Sequence, residues 1–391
     1  MLTPYLPYPT NSGGQIRSNN LLKHLSKKHE ITLCSLIKNP EDERFKDKLK
    51  PYCKEIHIFT RPRKPWTLSN ILRTGFSSYP FLVMRNFSPD EKNALPKIIE
   101  EGNFDLIHAE TFYTCPHIPP NSLPLVLVDQ TIEVNVYQHF VRNFKFFLLR
   151  PMLYIDVLKL KYWETFYWKK AARTIAVSEA DAKTMRELVP GLKVTVVPNG
   201  VGEDLVSDVP LHYNKTILFM GSGWLQNVEA ATILAIQVFP QIQKVIPDVR
   251  LILAGQLGQN VQKLKSENID VMEIAQDDIE SVKKLFRSAG VMVTPLYGPG
   301  GTRLKILGAM ASKLPVVTTK VGIAGIDATN KENVLMGENS QDLARLTINI
   351  LQDKKLYEKI AKNARKFVED NYFYEAIAEK LDQVYTEVTN G

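Results

Sequence analysis

The chain has 391 residues, 44% of them hydrophobic and 23% charged, with a formal net charge of +7. That length predicts two domains, each large enough to bury a core, and no apolar run reaches the roughly 18 residues that a membrane span needs. Three scattered cysteines, Cys34, Cys53 and Cys115, form no C-x-x-C pair, which argues against a disulfide framework or zinc site and for free thiols in a reducing compartment.

The first ten residues, MLTPYLPYPT, lack a basic region followed by an apolar core, so no secretory signal is expected and a cytoplasmic location is. Apolar runs then alternate with polar, helix-period segments: EITLCSL (30–36), EIHIFT (55–60), FDLIHAE (104–110), PLVLVDQ (124–130) and RTIAVSE (173–179). Continuous Val/Ile/Leu runs suit strands buried on both faces, as in parallel sheets, and the alternation predicts α/β units. The uncharged stretch 111–128 carries four prolines and reads as no span. Residues 1–200 hold 28 Lys+Arg against 19 Asp+Glu, and the rest hold 21 against 23. A basic first half suits an anionic partner, such as a membrane surface, a phosphorylated acceptor or nucleic acid, and equally suits a merely basic surface.

Residues 137–170, YQHFVRNFKFFLLRPMLYIDVLKLKYWETFYWKK, are dense in aromatics with interleaved Arg and Lys. We read the rings as core and the cations as solvated. The alternative is a basic amphipathic face resting on a membrane surface.

The run KVTVVPNGVGEDL (193–205) ends a strand at Pro198-Asn199-Gly200, and SDVPLHYNK (207–215) reads as a linker. A second series follows: TILFMGS (216–222), VRLILAG (249–255), IDVMEIA (269–275), GVMVTPL (290–296), LPVVTT (314–319) and ENVLMGE (332–338). Helical segments separate them, among them 228–246 and 278–289, and 354–388 reads as helices broken near Asp370-Asn371-Tyr372. The expected architecture is α/β, with two tandem doubly wound Rossmann-like domains facing across a cleft. The first covers 1–200 and the second 201–370, and a terminal helix, 371–391, returns to the first. Ligands in such sheets sit at the carboxyl ends of strands, here in the cleft.

Between the strand at 291–296 and a helix closed by Pro315 lies Gly298-Pro299-Gly300-Gly301-Thr302-Arg303-Leu304-Lys305. A glycine turn from strand to helix presents unpaired N–H groups and the positive end of the helix dipole. Arg303 and Lys305 add full charges, so the turn suits a phosphate-bearing ligand. Alone, it reads equally as an ordinary turn with solvated cations.

Over essentially its full length the chain resembles retaining glycosyltransferases of the GT-B fold, in the large family 4 group. TPYLPYPTNSGGQIRSNNLLKHLSKKHEITL is similar to the opening strand, glycine loop and first helix of that family; TIAVSEADA and VVPNGV to its interdomain crossing; TILFMGSGWLQNVEAA and GPGGTRLKILGAMASKLPVV to a subgroup whose phosphate loop ends T-R-L-K. The resemblance implies sugar transfer from a nucleotide-sugar, UDP- or GDP-linked, to a glycan or lipid-linked acceptor in cell-surface polysaccharide or glycoconjugate synthesis. It implies Gly13, Gly14, Gly221, Ser222, Gly300, Gly301 and Thr302 as donor-binding residues. Lys305 and Arg303 would neutralise the leaving nucleotide, and Glu133 matches an acidic residue ending an H-x-x-E-like segment. Arg17, His108 and Gln130 are candidates on the acceptor side. Each has a bland counterpart: a solvated helix residue for Arg17, a satisfied structural group for His108, a surface or capping carboxylate for Glu133.

Some positions depart from the pattern. Gly308 stands where the family places a glutamate on the donor ribose, Gln130 replaces a histidine and cannot act as acid or base, and Gly221-Ser222-Gly223-Trp224 lacks a usual basic residue. Only Met1 and Leu2 precede T-P-Y-L, so a shortened central strand, or an upstream start, is expected. There is no D-x-D pair, so no metal or other cofactor is expected. The reading is a metal-independent hexosyltransferase-like enzyme, cytoplasmic and in peripheral contact with the inner membrane face, with no nucleic-acid partner. A degenerate relative that binds nucleotide or sugar without turnover is the rival, and a nucleotide-sugar epimerase is a weaker one.

Overall fold

In the computed structural model, the described residues are 1–10, 12–64, 67–142, 144, 146–202, 211–223, 225–275, 278–298 and 304–390, without the side chains of Leu68, Ser69 and Asn260. The chain divides into two compact units: Met1–Pro198 with Ala378–Gly391, and Asn199–Ile377.

The first unit holds strands β1 (Leu2–Thr3), β2 (Thr32–Ile37), β3 (Glu55–Thr60), β4 (Ile107–Glu110), β5 (Leu125–Asp129), β6 (Arg173–Ala176) and β7 (Val194–Val196). Its helices are α1 (Gly13–Leu25), α2 (Leu68–Phe76), α3 (Phe81–Met84), α4 (Pro89–Glu101), α5 (Glu133–Arg142), α6 (Arg150–Lys170) and α7 (Glu179–Leu188). The sheet is parallel in the order β3-β2-β1-β4-β5-β6-β7. Order reverses between β1 and β4, the place where ligands bind in doubly wound sheets. As expected, the central strand is short: β1 pairs on both sides but spans two residues against six in β2.

The second unit holds β8 (Thr216–Met220), β9 (Arg250–Ala254), β10 (Ile269–Met272), β11 (Val291–Thr294), β12 (Val316–Thr318) and β13 (Leu335–Met336), in the order β10-β9-β8-β11-β12-β13. Its helices are α8 (Leu225–Ile233), α9 (Phe239–Val245), α10 (Gln259–Gln262), α11 (Ile279–Ser288), α12 (Leu304–Ala311), α13 (Ser340–Gln352) and α14 (Lys354–Tyr372). A last helix, α15 (Tyr374–Asn390), starts in the second unit and ends in the first. This sheet reverses between β8 and β11. The segment 228–246 is not one regular helix: a π turn at Leu234–Val238 precedes Pro240, which has no N–H to donate.

Both architectures follow from local chemistry. The inner strand runs are buried on both faces, with Val126, Leu127, Val128, Val291, Met292 and Val293 wholly inaccessible. Ser12, Ser88, Ser178, Asp278, Asn339 and Asp353 each accept a backbone N–H at a helix start.

Gly255, just past β9, has φ +109°, and a Cβ there would stand 2.1 Å from the Gly221 carbonyl oxygen. Gly191 has φ +81° with open space around it. In urea unfolding, Gly191→Ala should cost about 1–2 kcal/mol, the left-handed backbone penalty alone, whereas Gly255→Ala should cost more because the carbonyl of the β8 loop must also move. Equal losses would refute the close approach.

Candidate functional site

At the switch point of the first unit the side chains form one buried polar network. His108 and Glu110 lie two apart on β4 and so share a face. Glu110 is completely buried. Its Oε1 stands 3.2 Å from His108 Nε2 and 3.7 Å from Arg17 Nε, and its Oε2 accepts from Gln130 Nε2 at 2.6 Å. Gln130 Nε2 also donates to the Tyr5 hydroxyl at 3.1 Å. Arg17 Nη1 reaches the carbonyls of Val197 and Pro198 at 3.2 and 2.8 Å. His108 Nδ1 bonds the Tyr385 hydroxyl of α15.

Burial raises the Glu110 pKa, but the His108 bond and the Arg17 charge outweigh it and hold the carboxyl below its ordinary value. Burial pulls His108 below its ordinary value, against Glu110. The consistent state is ionised Glu110, neutral His108 donating from Nε2, and Tyr385 donating to Nδ1.

This network brings Arg17, His108, Gln130 and Gly14 together, though not as expected. Arg17 is neither a solvated helix residue nor turned outward: it is fully buried and ties α1 to residues 197–198. His108 is a satisfied internal group. Gly13 is the exposed first residue of α1. Gly14 has a packing reason of its own, since a Cβ there would meet the Tyr5 hydroxyl at 2.3 Å. The sequence reading missed Glu110 and Tyr385. The two-residue spacing from His108 pointed to Glu110; nothing local pointed to Tyr385.

Glu133 opens α5. The buried Glu164 carboxylate fixes that start by accepting the N–H groups of Glu133 and Val134 at 2.7 and 3.0 Å. Burial raises the Glu133 pKa to about 7, with Arg85 opposing.

At the switch point of the second unit, the loops after β8 and β11 adjoin. Lys305, in the first turn of α12, donates from Nζ to Asn227 Oδ1 at 2.7 Å and lies 5.0 Å from the Phe219 ring centroid. Asn227 Nδ2 donates to Ser222 Oγ at 3.1 Å. A Cβ on Gly221 would come within 2.9 Å of Asn227 Cβ. The structure thus gathers Lys305, Gly221 and Ser222 around Asn227. Gly300, Gly301, Thr302 and Arg303 lie outside the described residues. Gly308 is buried, and a Cβ there would approach Phe286 to 3.0 Å, so that ring occupies the space a longer side chain would need.

The segment 137–170 corrects our reading of it. One side of α6 is core, with Val157, Leu160, Tyr167 and Trp168 buried. Met152, Ile155, Leu158, Tyr162 and Phe166 form a second apolar stripe at helical spacing, and it is exposed. Phe140 and Phe146–Leu149 extend it, Leu148 being 77% exposed. Lys159 Nζ bonds the carbonyls of Thr74 and Ser77, which fixes the end of α2, with Phe76 93% exposed, to α6. Among the described residues 136–170 the exposed charges are Arg142, Lys161, Lys169 and Lys170, all cationic. None of the described helices is long and apolar enough to cross a membrane.

Two doubly wound parallel sheets, one with a lysine in the first turn of the helix that follows its switch-point strand, define a doubly wound α/β class. Residues 12–205 match the family model for Glycosyltransferase Family 4, and residues 214–353 that for glycosyl transferases group 1. The chain belongs to the GT-B glycosyltransferases of the family 4 kind. It is 22% identical, over 94% of both chains, to an uncharacterised 44.6 kDa protein in the cps region of Klebsiella pneumoniae. Among solved structures, sucrose-phosphate synthase from Thermosynechococcus elongatus is similar with a TM-score of 0.70 at 16% identity, covering 100% of this chain and 98% of that one. Anabaena Alr3699/HepE, solved with UDP and glucose, has a TM-score of 0.64 at 16% identity, covering 99% and 98%. At such identities these two likenesses speak for the fold.

Because folding lowers the His108 pKa, the unfolded chain binds the extra proton below its ordinary value of 6.5. The contribution of His108 is therefore present above that pH and lost as pH falls. Urea unfolding between about pH 5 and pH 7.5 should show the stability advantage of wild type over His108→Gln growing with pH. A constant difference would show that folding leaves the His108 pKa unshifted, and an advantage that shrinks with rising pH would show that His108 is protonated in the fold.

Proposed function

We propose that the protein transfers a sugar, with retained anomeric configuration, from a UDP- or GDP-linked donor to a glycan or lipid-linked acceptor in cell-surface polysaccharide synthesis. The observation that carries this reading is Lys305, held beside the β8 loop at the switch point of the second unit. A cation there offsets charge that develops on the diphosphate as the glycosidic bond breaks. The family resemblance assigns the rest of the grip to Arg303, Thr302 and the amides of Gly300 and Gly301, a metal-independent arrangement. The leaving phosphate takes the acceptor's proton, and Glu133, half ionised near neutrality, orients the acceptor. UDP and glucose in the Anabaena structure and the cps-region relative support the donor class and the pathway.

A second reading, binding without turnover, draws on one observation: Phe286 fills the space at Gly308 where a ribose-holding carboxylate would stand. Release of UDP or GDP from the sugar nucleotide separates the two.

Specific binding stabilises the folded state by mass action. UDP should raise the melting temperature of wild type and GDP should not, or the reverse, and Lys305→Ala should abolish the shift. An unchanged shift in that variant overturns the donor assignment.

The reading also puts the protein at the cytoplasmic face of a membrane, through the exposed stripe of α6 and residues 146–149. Aromatic and aliphatic side chains enter the interface while the surrounding cations meet anionic lipid. Wild type should co-sediment with phosphatidylcholine–phosphatidylglycerol vesicles at low salt, and Phe147→Ser/Leu148→Ser should not. Equal sedimentation of both would overturn this surface as the contact.

A further inference from the structure

A second cationic cluster lies in the first unit, away from the network around Glu110, and the transferase reading makes no use of it. Strands β2 and β3 pair in register, with Ile37 opposite Thr60. Lys38 and Arg61 therefore leave the carboxyl ends of two neighbouring strands side by side, and the Arg61 N–H donates to the Ile37 carbonyl at 2.9 Å. The Arg61 guanidinium bonds the carboxamide oxygen of Asn86 through Nη1. Asn86 is itself buried and anchored to the Leu82 carbonyl at 2.8 Å. That contact brings Arg61 to the segment just past α3, where Arg85 stands.

Three cations from three segments thus converge at the carboxyl end of the sheet. Among the described residues none of them makes an ion pair with a carboxylate within 4.0 Å. The Arg61 Nε is buried without a hydrogen-bond partner among those residues. Burial, then Arg61 and Arg85, lower the Lys38 pKa, and burial together with Arg85 lowers that of Arg61. Lys38 is exposed and Arg61 and Arg85 are half-buried, so the cluster is open to a ligand, and like charges held close together are relieved by a bound anion. Arginine forks match phosphoryl oxygens in particular.

We propose that Lys38, Arg61 and Arg85 form an anion site on the first unit that takes a phosphoryl group of the sugar acceptor. The word acceptor rests on the transferase reading; the anion site does not. Arg85 also acts electrostatically on Glu133, the first residue of α5, and in the transferase reading the group bonded to the seated phosphoryl is the one that Glu133 orients. The phosphoryl group is carried either by a soluble sugar phosphate or by a lipid.

Hydrogen–deuterium exchange resolved by peptide tests the site apart from the donor site. Inorganic pyrophosphate serves as the soluble probe, and phosphatidylcholine vesicles doped with phosphatidic acid as the lipid-borne one. Protection of residues 37–39, 60–64 and 84–87 by either probe is the expected result. Pyrophosphate alone assigns a soluble acceptor, and vesicles alone assign a lipid-borne one. Lys38→Gln/Arg85→Gln, which leaves Arg61 and its Asn86 bracket intact, should weaken that protection roughly tenfold or more in probe concentration. No protection of these segments by either probe, or undiminished protection in the double variant, overturns the proposal. A missing UDP response would instead overturn the donor reading, since it is read on residues 221–227 and 298–310.

Discussion

A parallel sheet whose strand order reverses leaves a gap above its two inner strands, because the helices that follow them cross in opposite directions. Everything described here depends on that constraint. It operates twice, between β1 and β4 and between β8 and β11. In both units it opens the carboxyl ends of the inner strands and points the first turn of the next helix at them.

The two gaps are furnished differently. In the second unit the gap keeps a cation near the surface, steadied by Asn227 and the Phe219 ring. In the first unit the corresponding cation, Arg17, is drawn inside and neutralised by Glu110. Removing one member of a buried pair of this kind leaves the other charge uncompensated. The side chains at the first gap are therefore better suited to holding a backbone shape than to meeting a ligand. The cations left for a ligand in the first unit stand further along the sheet edge, at β2 and β3.

Much of the fold was legible in the sequence because parallel strands are buried on both faces and write themselves as unbroken apolar runs. The segments around β2, β5, β8, β9 and β11 were found this way, whereas the edge strand β3 is only partly buried. The ends of α14 and α15 were legible within a few residues, since Asp370-Asn371-Tyr372 breaks the helical pattern close to the observed junction at Phe373. The π turn before Pro240 was not, because a proline in a long apolar helix reads the same whether the backbone kinks or widens. The site was legible to a lesser degree. Lys305 stood out through the glycines before it, and His108 through its place at a strand end. The buried ion pair of Arg17 was not legible, since its partner is a glutamate 93 residues downstream on β4, and the packing reason for Gly14 lies in a tyrosine nine residues upstream. The exposure of α6 was misjudged too. A helix apolar on two sides gives no sign in sequence of which side the protein covers.

The contact between His108 and Tyr385 ties the fourth strand to a helix near the far end of the chain, 277 positions further on. A ribosome delivers amino acids in order, so the first unit emerges with its sheet complete but with an imidazole lacking its phenol until the second unit has been made. The last helix can complete the buried network around Glu110 only after the second unit has been made. Its opening 198 residues await their last partner while nearly all of the second half is made.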